Sequence, residues 1–491
     1  MTDIAIAAPS EAAADAGERV CRAGGNAVDA AIAAALVAMV NEVGLVSLSS
    51  GGFVTVQPPG GSAYTVDGWM DMPGQGRLAD GATWDVETEY GGGVTITIGA
   101  GSVAAHGSLA AFGEAHARDG RLPWREVVAP AVDVARGGFR LSPASRYYLD
   151  HVHDDVFGWD AASRAAVHDE DGEVTTGLVV VPDLAESLEL IATEGPRSMH
   201  TGELARRIGE DVLGRGGLLG PDDLAAYRPV VRPSLTTQVG DWTLATTPPP
   251  SLGGVVLAAM LRLLDGRPHG RWDAADVEHL VRVQRAVLGH RLDVLDHTDD
   301  LERDAAAYLA LVDADHRQVL ESGSTAHVSV TDGDGGACSV TVSSGYGAGM
   351  MAAGTGIWLN NCLGEQELNP RGLHGLPSGA RLLSNMAPTV GRHRDGSVLA
   401  IGSPGADRIT TAVVQALAGF VGGLGLTEAV HHPRVHVHRA GRPDEVVRRE
   451  SGLSMYFGGV GVAVTRPDGH LQAAADPRRD GAVRLVHGAR P

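Results

Sequence analysis

Residues 321–343 read ESGSTAHVSVTDGDGGACSVTVS, and the interpretation of the whole chain depends on this stretch. Alternating apolar and polar residues at 327–331 and 337–343 flank the turn-forming segment DGDGG, a pattern that predicts a β-hairpin. Thr325 stands at the front of the first strand, behind three small residues. Thr325 is either an ordinary strand-edge residue or, if the chain is cut before it, a nucleophile.

A free N-terminal threonine carries all the groups that nucleophilic catalysis needs. Its hydroxyl attacks, and its own α-amine, with a pKa of about 7.7, accepts the proton at neutral pH. That amine exists only if the bond between Ser324 and Thr325 is broken. The small residues ahead of Thr325 would let the loop twist until the hydroxyl reaches the carbonyl of Ser324. These residues alone leave both interpretations open.

The composition indicates a folded protein that does not bind nucleic acid. The chain has 491 residues, of which 44% are hydrophobic and 20% charged, so it can bury a large core. The formal net charge is −21, and every one of the 39 basic residues is arginine, without a long basic run. Phosphate-backbone binding depends on clustered cations, so a nucleic-acid partner is excluded. Three widely spaced cysteines predict neither a disulfide framework nor a zinc site.

No segment of the sequence indicates a membrane anchor or an export signal. The first twenty residues lack a basic region and carry acidic residues early, so we expect a cytoplasmic protein. The most apolar stretch, AVDAAIAAALVAMV (27–40), is too short to span a bilayer and predicts a buried helix. The pattern is mostly helical between about 103 and 320, and strands with glycine turns follow from 326 onward.

Two further motifs each have two interpretations. GYGAG (345–349) and GSPGADRI (402–409) lack the GxGxxG order of a dinucleotide loop, and a chain without lysine has no P-loop. Their glycines form either tight turns or a place where backbone N–H groups hold an oxyanion. His436 and His438 share a strand face, but no carboxylate or cysteine follows at a usual ligand spacing. We interpret them as structural and expect no metal and no cofactor.

The segment around Thr325 resembles the processing site of the γ-glutamyltranspeptidase family, which belongs to the N-terminal nucleophile hydrolases. That family usually shows TTH followed by S-V-x-D-x-x-G. The matching residues here are Thr325, His327, Ser329, Val330, Asp332 and Gly335, with Ala326 in place of the second threonine. Other segments follow in family order, among them AGGNAVDAAIAAAL (23–36), LPWREVVAPAVDVARGGF (122–139), GTGIWLNN (354–361), LLSNMAPT (382–389) and DPRRDG (476–481).

This resemblance implies a fold, a subunit division and a set of catalytic residues. The fold would be of the α/β (α+β) class, a four-layer αββα sandwich of the N-terminal nucleophile hydrolase type. One interwoven domain would be shared by a large subunit, 1–324, and a small subunit, 325–491, which form an αβ heterodimer or a dimer of these. Thr325 would attack the substrate carbonyl, with support from the Ser343 hydroxyl. The backbone N–H groups of Gly405 and Ala406 would form the oxyanion hole.

The residues that correspond to substrate contacts in the family depart from its pattern. The family holds the substrate carboxylate with an arginine in D-x-R-E-x-A-P, whereas DGWMDMP (67–73) has Trp69 at that place. A charge-assisted contact of this kind contributes about 1.5–3 kcal/mol. The remaining candidate substrate contacts are Ser384 and Asn385 in place of paired serines, Gly345 and Tyr346 after the hairpin, and Glu365 after LNN.

We therefore expect a self-cleaving N-terminal-threonine hydrolase or acyltransferase that acts on an amide-like or acyl bond of a small molecule other than a standard γ-glutamyl compound. Two alternatives remain. One is a hydrolase that cleaves a C–C bond in a 2-oxo-acid-containing intermediate of natural-product biosynthesis. The other is an unprocessed, inactive homologue that serves as a ligand-binding protein.

Overall fold

The computed structural model describes residues 2–75, 82–90, 93–264, 269–313, 325–405 and 407–488. The strands are, in chain order, β1 (Ile4–Ala8), β2 (Gly51–Gln57), β3 (Tyr64–Gly68), β4 (Trp84–Thr88), β5 (Val94–Ile98), β6 (Val230–Pro233), β7 (Leu235–Val239), β8 (Trp242–Thr246), β9 (Ala326–Asp332), β10 (Ala337–Ser343), β11 (Met351–Ala352), β12 (Ile357–Trp358), β13 (Thr389–His393), β14 (Val398–Gly402), β15 (Val435–His438), β16 (Val446–Arg449), β17 (Gly461–Thr465), β18 (Leu471–Ala475) and β19 (Ala482–Val486). The α-helices are α1 (Glu11–Arg22), α2 (Ala27–Asn41), α3 (Ser108–Asp119), α4 (Trp124–Gly137), α5 (Pro143–Phe157), α6 (Ala161–Val167), α7 (Leu184–Glu194), α8 (Glu203–Gly214), α9 (Pro221–Ala226), α10 (Leu252–Leu264), α11 (Ala274–Asp293), α12 (Leu301–Val312), α13 (Arg408–Val421) and α14 (Leu426–His431).

Two antiparallel sheets form the centre of the fold. The first has seven strands in the order β19-β1-β9-β10-β2-β3-β6, and the second has six in the order β18-β17-β14-β13-β8-β7. In the first sheet β9 lies between β1 and β10, and β10 pairs with β2. Strands from before and after residue 325 therefore alternate within one sheet, so neither part of the chain completes this sheet alone.

The sheets pack face to face and helices cover their outer faces. β9 packs on β14 and β17 of the second sheet, and α2 lies across the opposite face of β9 and β10. On the far side, α10 packs on β7, α13 on β14, and α14 on β17 and β18. The predicted four-layer αββα sandwich is confirmed.

The sequence of α2 explains its position inside the molecule. The Asn26 side chain caps its N-terminus by accepting hydrogen bonds from the backbone N–H groups of Val28 and Asp29. The Asp29 carboxylate in turn accepts a hydrogen bond from the backbone N–H of Asn26. Every residue of α2 is buried, as expected for a helix that is apolar on all sides. Among the described residues, no helix combines the length and apolar character needed to cross a membrane.

The predicted hairpin is confirmed as β9 and β10. Asp332 ends β9, and its Oδ1 accepts hydrogen bonds from the backbone N–H groups of Asp334 and Gly336, which closes the turn. Gly335 in this turn has φ of +86°, a conformation that favours glycine. This short connection fixes the register of the two strands and therefore the position of the residues at their open end.

Candidate active site

Thr325 lies at the open end of the hairpin, directly beside Ser343. Ala326 pairs with Val342, so one further step along the two strands sets Thr325 opposite Ser343. Thr325 is 1% exposed and Ser343 is 2% exposed. The Oγ of Ser343 accepts a hydrogen bond from the backbone N–H of Gly345 at 3.0 Å, which fixes this hydroxyl next to Thr325. The register is consistent with the pairing of the Thr325 and Ser343 hydroxyls that the family resemblance implies, and this pairing stays a prediction.

Thr325 and Ser343 begin a row of residues that lie side by side on neighbouring strands, and the same register extends this row across two more strands to Trp69. Ser343 pairs with Gly51, and Gly52 pairs with Gly68, which brings Trp69 to the end of the row. A Cβ on Gly51 would lie 2.8 Å from the indole ring of Trp69, so only glycine leaves room for this side chain. Three strand spacings of about 4.8 Å put Trp69 roughly 14 Å from Thr325.

His327 connects this row to the second sheet. Its Nδ1 hydrogen bonds with Thr341 Oγ1 at 2.8 Å and its Nε2 with Ser329 Oγ at 2.7 Å. Its ring lies so close to Gly402, at the end of β14, that a Cβ there would be 2.4 Å away. Burial lowers the pKa of His327 to about 3, so the ring is neutral at pH 7. His327 therefore positions the strands around Thr325 and does not act as a base.

The buried, neutral ring of His327 makes stability depend on pH. In the unfolded chain its pKa is about 6.5, so below that pH the unfolded state binds a proton that the folded state does not, and stability falls as pH falls. Between about pH 7 and about pH 5, the wild type should lose about 2 kcal/mol more unfolding free energy than a His327→Gln variant. Urea unfolding at both pH values measures this, with the exposed His470→Gln as control. Equal losses in the wild type and His327→Gln would contradict it.

The glycine loop after β14 lies beside the His327 ring. Gly405 has φ of +123°, and a Cβ on it would lie 2.6 Å from the Cα of Gly458. Ser403 stabilises the loop, because its Oγ donates to the Pro404 carbonyl at 2.6 Å and accepts from the Gly459 N–H at 3.0 Å. Gly405 is thus a position that only glycine occupies without strain. Ala406, the second predicted oxyanion-hole residue, lies outside the described residues. Ser324, the predicted residue before the cleavage site, lies outside them as well.

A buried charge network follows the glycine loop. Asp407 forms an ion pair with Arg408 and accepts from His436 Nε2 at 2.8 Å and His438 Nδ1 at 3.2 Å. Although burial alone would raise the pKa of Asp407, Arg408 and His436 hold it well below its usual range. The two histidines and Asp407 are close enough to share a metal ion, but the carboxylate charge is already balanced by Arg408. Sequence spacing missed this carboxylate because it lies 29 residues before His436.

The predicted contacts Gly345, Tyr346 and Glu365 lie together just beyond Ser343. A Cβ on Gly345 would be 3.2 Å from the Glu365 carboxylate, which is buried. Asn361 Oδ1 accepts from the Tyr346 N–H at 2.6 Å, and the Tyr346 carbonyl accepts from the Tyr148 hydroxyl at 2.6 Å. These bonds hold the segment after Ser343 in one conformation.

The other predicted contacts, Trp69, Ser384 and Asn385, form a second group. Trp69 Nε1 donates to the Leu383 carbonyl at 2.7 Å, which joins the tryptophan to the Ser384 segment. Ser384 Oγ accepts from the Met386 N–H at 3.3 Å, and its carbonyl accepts from the Leu252 N–H at 2.8 Å. Both amide atoms of Asn385 are buried without a hydrogen-bond partner among the described residues. Asn385 therefore has donor and acceptor capacity to offer a ligand.

Sequence reasoning missed the arginine beside Trp69. Arg381 Nη1 donates to the Trp69 carbonyl at 3.0 Å and pairs with Asp67 at 2.9 Å, while its Nε pairs with Asp71 at 2.8 Å. Burial raises the pKa of Asp71 to about 6 against the opposing effect of Arg381. Because two carboxylates already hold Arg381, it does not replace the arginine that the family has at Trp69. The sequence signal was the paired acids in DGWMD.

Comparison with known proteins gives one family. The family model described as gamma-glutamyltranspeptidase matches residues 13–486. The chain is 28% identical to the glutathione hydrolase proenzyme of Escherichia coli (strain K12), over 96% of this chain and 90% of that protein. It is 29% identical to the Acylase ACY 1 proenzyme of Pseudomonas sp. (strain SE83), over 97% of this chain and 92% of that protein.

Solved structures share the fold, one of them over nearly the full chain. A cephalosporin acylase from Bacillus halodurans superimposes with a TM-score of 0.79, 22% identity and coverage of 99% of this chain and 96% of that one. The gamma-glutamyltranspeptidase from Pseudomonas nitroreducens, complexed with L-DON, gives a TM-score of 0.51 at 25% identity, over 62% of this chain and 92% of that one. The arrangement of sheets and helices around Thr325 is therefore one that known enzymes also have.

Proposed function

The chain belongs to the gamma-glutamyltranspeptidase family, and from that premise we propose that it is an acylase whose nucleophile is Thr325, freed by cleavage after Ser324. Its relatives are hydrolases and acyltransferases that are named as proenzymes, and it is an N-terminal nucleophile hydrolase of the same kind. The observation that carries the choice of residue is the buried pair of Thr325 and Ser343 at the open end of the central hairpin.

Maturation would begin with the Thr325 hydroxyl. Its Oγ1 attacks the carbonyl carbon of Ser324, the peptide nitrogen leaves as the amine of Thr325, and an ester joins the two residues. Water then hydrolyses this ester, which releases the Ser324 carboxylate and leaves Thr325 with a free α-amine. That amine, with a pKa of about 7.7, can accept a proton at neutral pH.

Turnover would reuse the same groups on a substrate. The α-amine of Thr325 takes the hydroxyl proton while Oγ1 attacks the acyl carbon, and the Ser343 hydroxyl is positioned to hydrogen bond with Oγ1. The N–H groups of Gly405 and Ala406 would stabilise the negative charge that develops on the carbonyl oxygen. The leaving amine receives the proton, and water or an acceptor amine then resolves the acyl-enzyme.

The substrate would be an acyl compound without a γ-glutamyl group. Trp69 stands at the family's arginine position, is 2% exposed and packs against Phe53 with ring centroids 6.4 Å apart. Arg381, the neighbouring cation, is held by Asp67 and Asp71. A glutamate α-carboxylate would therefore have no free arginine beside Trp69, and this part of the site favours an uncharged part of the acyl group.

We expect the wild type to hydrolyse simple N-acyl-p-nitroanilides at least about tenfold faster, in kcat/KM, than γ-glutamyl-p-nitroanilide. The missing charge-assisted contact costs about 1.5–3 kcal/mol, which corresponds to a factor of about ten or more. Release of nitroaniline, measured on enzyme whose cleavage is verified by intact mass, gives both rates. A cleaved enzyme that prefers the γ-glutamyl compound would contradict the proposed substrate class but leave Thr325 as the nucleophile.

A further inference from the structure

A cleft of about 490 Å³ opens beside the candidate active site and is lined by arginines and aromatic rings. Its cations are Arg408, Arg448 and Arg449, and its aromatic residues are Tyr90, Tyr147, Tyr456 and Phe457. The formal net charge of the chain is −21, so the field of the whole molecule repels anions, and an anion-binding site on it needs local cations such as these. A local group of arginines in this setting requires its own explanation.

The residues that line the cleft are neighbours of two parts of the candidate active site. Phe457 lines it, and the next residue, Gly458, has its Cα only 2.6 Å from where a Cβ on Gly405 would be. Near the second part, the ring of Tyr90 packs edge-on against the ring of Tyr346, with centroids 6.4 Å apart. A molecule in the cleft would therefore lie close to the glycine loop and to the segment that follows Ser343.

The three arginines differ in how their charge is balanced. Arg408 is paired with the buried Asp407, and Arg449 is paired with Glu278 at 2.5 Å on the surface. Arg448 lies over the ring of Tyr456, 4.8 Å from its centroid, and its buried Nε–H has no hydrogen-bond partner among the described residues.

The Tyr456 ring holds Arg448 in a defined orientation. The guanidinium of Arg408 lies 4.5 Å from the centroid of the same ring, and Arg408 Nε donates to the Tyr456 carbonyl at 2.9 Å. A guanidinium that stacks on an aromatic ring keeps its N–H donors in its own plane, parallel to the ring, where they can bind a carboxylate with two parallel hydrogen bonds. The acidic residue that lines this cleft is Glu89, which is exposed.

We infer that this cleft binds the carboxylate of an aromatic or apolar acyl substrate, with Arg448 as the residue that recognises the anion. The inference rests on the proposed function, because a molecule bound in this cleft is a substrate only if Thr325 is the nucleophile. It places the recognition of a carboxylate at Arg448 and not at the position of Trp69. The substrate class is thus an acyl compound whose free carboxylate lies away from the bond that is cleaved.

Equilibrium binding of two non-hydrolysable probes tests this inference. Phenylbutyrate carries an aromatic ring and a carboxylate, and phenylbutanol is its neutral counterpart. By calorimetry on the cleaved wild type, phenylbutyrate should bind at least about tenfold more tightly than phenylbutanol. Arg448→Gln should remove this preference, whereas Arg449→Gln, whose charge Glu278 already compensates, should change it less than about twofold. Equal effects of the two substitutions would overturn the inference.

Two further variants separate recognition from damage to the fold. Glu89→Gln removes the opposing charge and should strengthen phenylbutyrate binding, a gain that disruption of the structure does not produce. Arg448→Lys should keep part of the preference, because an ammonium retains the charge but not the paired donors. If phenylbutyrate binding depends on Arg448 while the enzyme is uncut and inactive, the cleft assignment holds and the proposed function fails. If the enzyme is cut and active but shows no preference for phenylbutyrate over phenylbutanol, the proposed function holds and the cleft assignment fails.

Discussion

Replacing Thr325 with alanine should leave the protein as a single full-length species without acylase activity. Alanine has no hydroxyl, so the carbonyl of Ser324 is not attacked and no α-amine is released. Thr325 is buried and small, so the loss of a hydroxyl and a methyl group should cost only about 1–2 kcal/mol of stability. An SDS gel, intact mass and p-nitroanilide hydrolysis together measure the outcome. A fragment that begins at residue 325 in this variant would refute the assignment.

Two variants control this experiment. Thr325→Ser keeps both the hydroxyl and the potential α-amine, so it should still be cleaved and should retain measurable activity. Thr331→Ala changes a buried threonine inside β9, whose hydroxyl bonds with Thr465 at 2.8 Å between the sheets. It should lose about 1 kcal/mol of stability yet be cleaved like the wild type. Failure of Thr331→Ala to be cleaved would show that packing in β9, and not the Thr325 hydroxyl, controls maturation.

The elements around Thr325 could be predicted from the sequence because local signals determine them. The alternation at 327–331 and the DGDGG turn predicted a hairpin that runs from Ala326 to Ser343 in the structure. The apolar stretch at 27–40 predicted the buried helix Ala27–Asn41. The spacing of apolar residues and the preference of certain residues for turns act over only a few positions, so both signals can be read from a single sequence.

The contacts between distant segments could not be predicted in this way. His438 and Asp407 are separated by 31 residues, and Arg381 is separated from Asp67 by 314. The cleft residues Tyr90, Arg408 and Arg448 come from three separate parts of the chain. Nothing in their local sequence marks them, because only the packing of the two sheets and the loops beyond them brings these side chains together. Family resemblance indicated the candidate nucleophile, but the charge balance at each arginine required the three-dimensional arrangement.

Gly405→Ala should reduce kcat for p-nitroanilide hydrolysis by about 100-fold to 1000-fold, the effect expected when an oxyanion-hole donor is displaced. At φ of +123° an alanine is strained, and its Cβ would lie 2.6 Å from the Gly458 Cα, so the loop must shift. A shift of the loop moves the Gly405 N–H away from the carbonyl oxygen of the substrate.

The matched control for this substitution is Gly423→Ala. Gly423 follows α13 and has φ of +104°, and a Cβ at this position would meet no atom within 4 Å, so the same strain arises there without a collision. Gly423→Ala should lose about 1 kcal/mol of stability in thermal unfolding, and Gly405→Ala should lose more because of the collision, but Gly423→Ala should keep kcat within about twofold of the wild type. Backbone strain from a positive φ is common to both variants, so a loss of kcat in Gly405→Ala alone is due to the displacement of the Gly405 loop and its N–H. Full activity in Gly405→Ala would therefore remove this loop from the catalytic machinery.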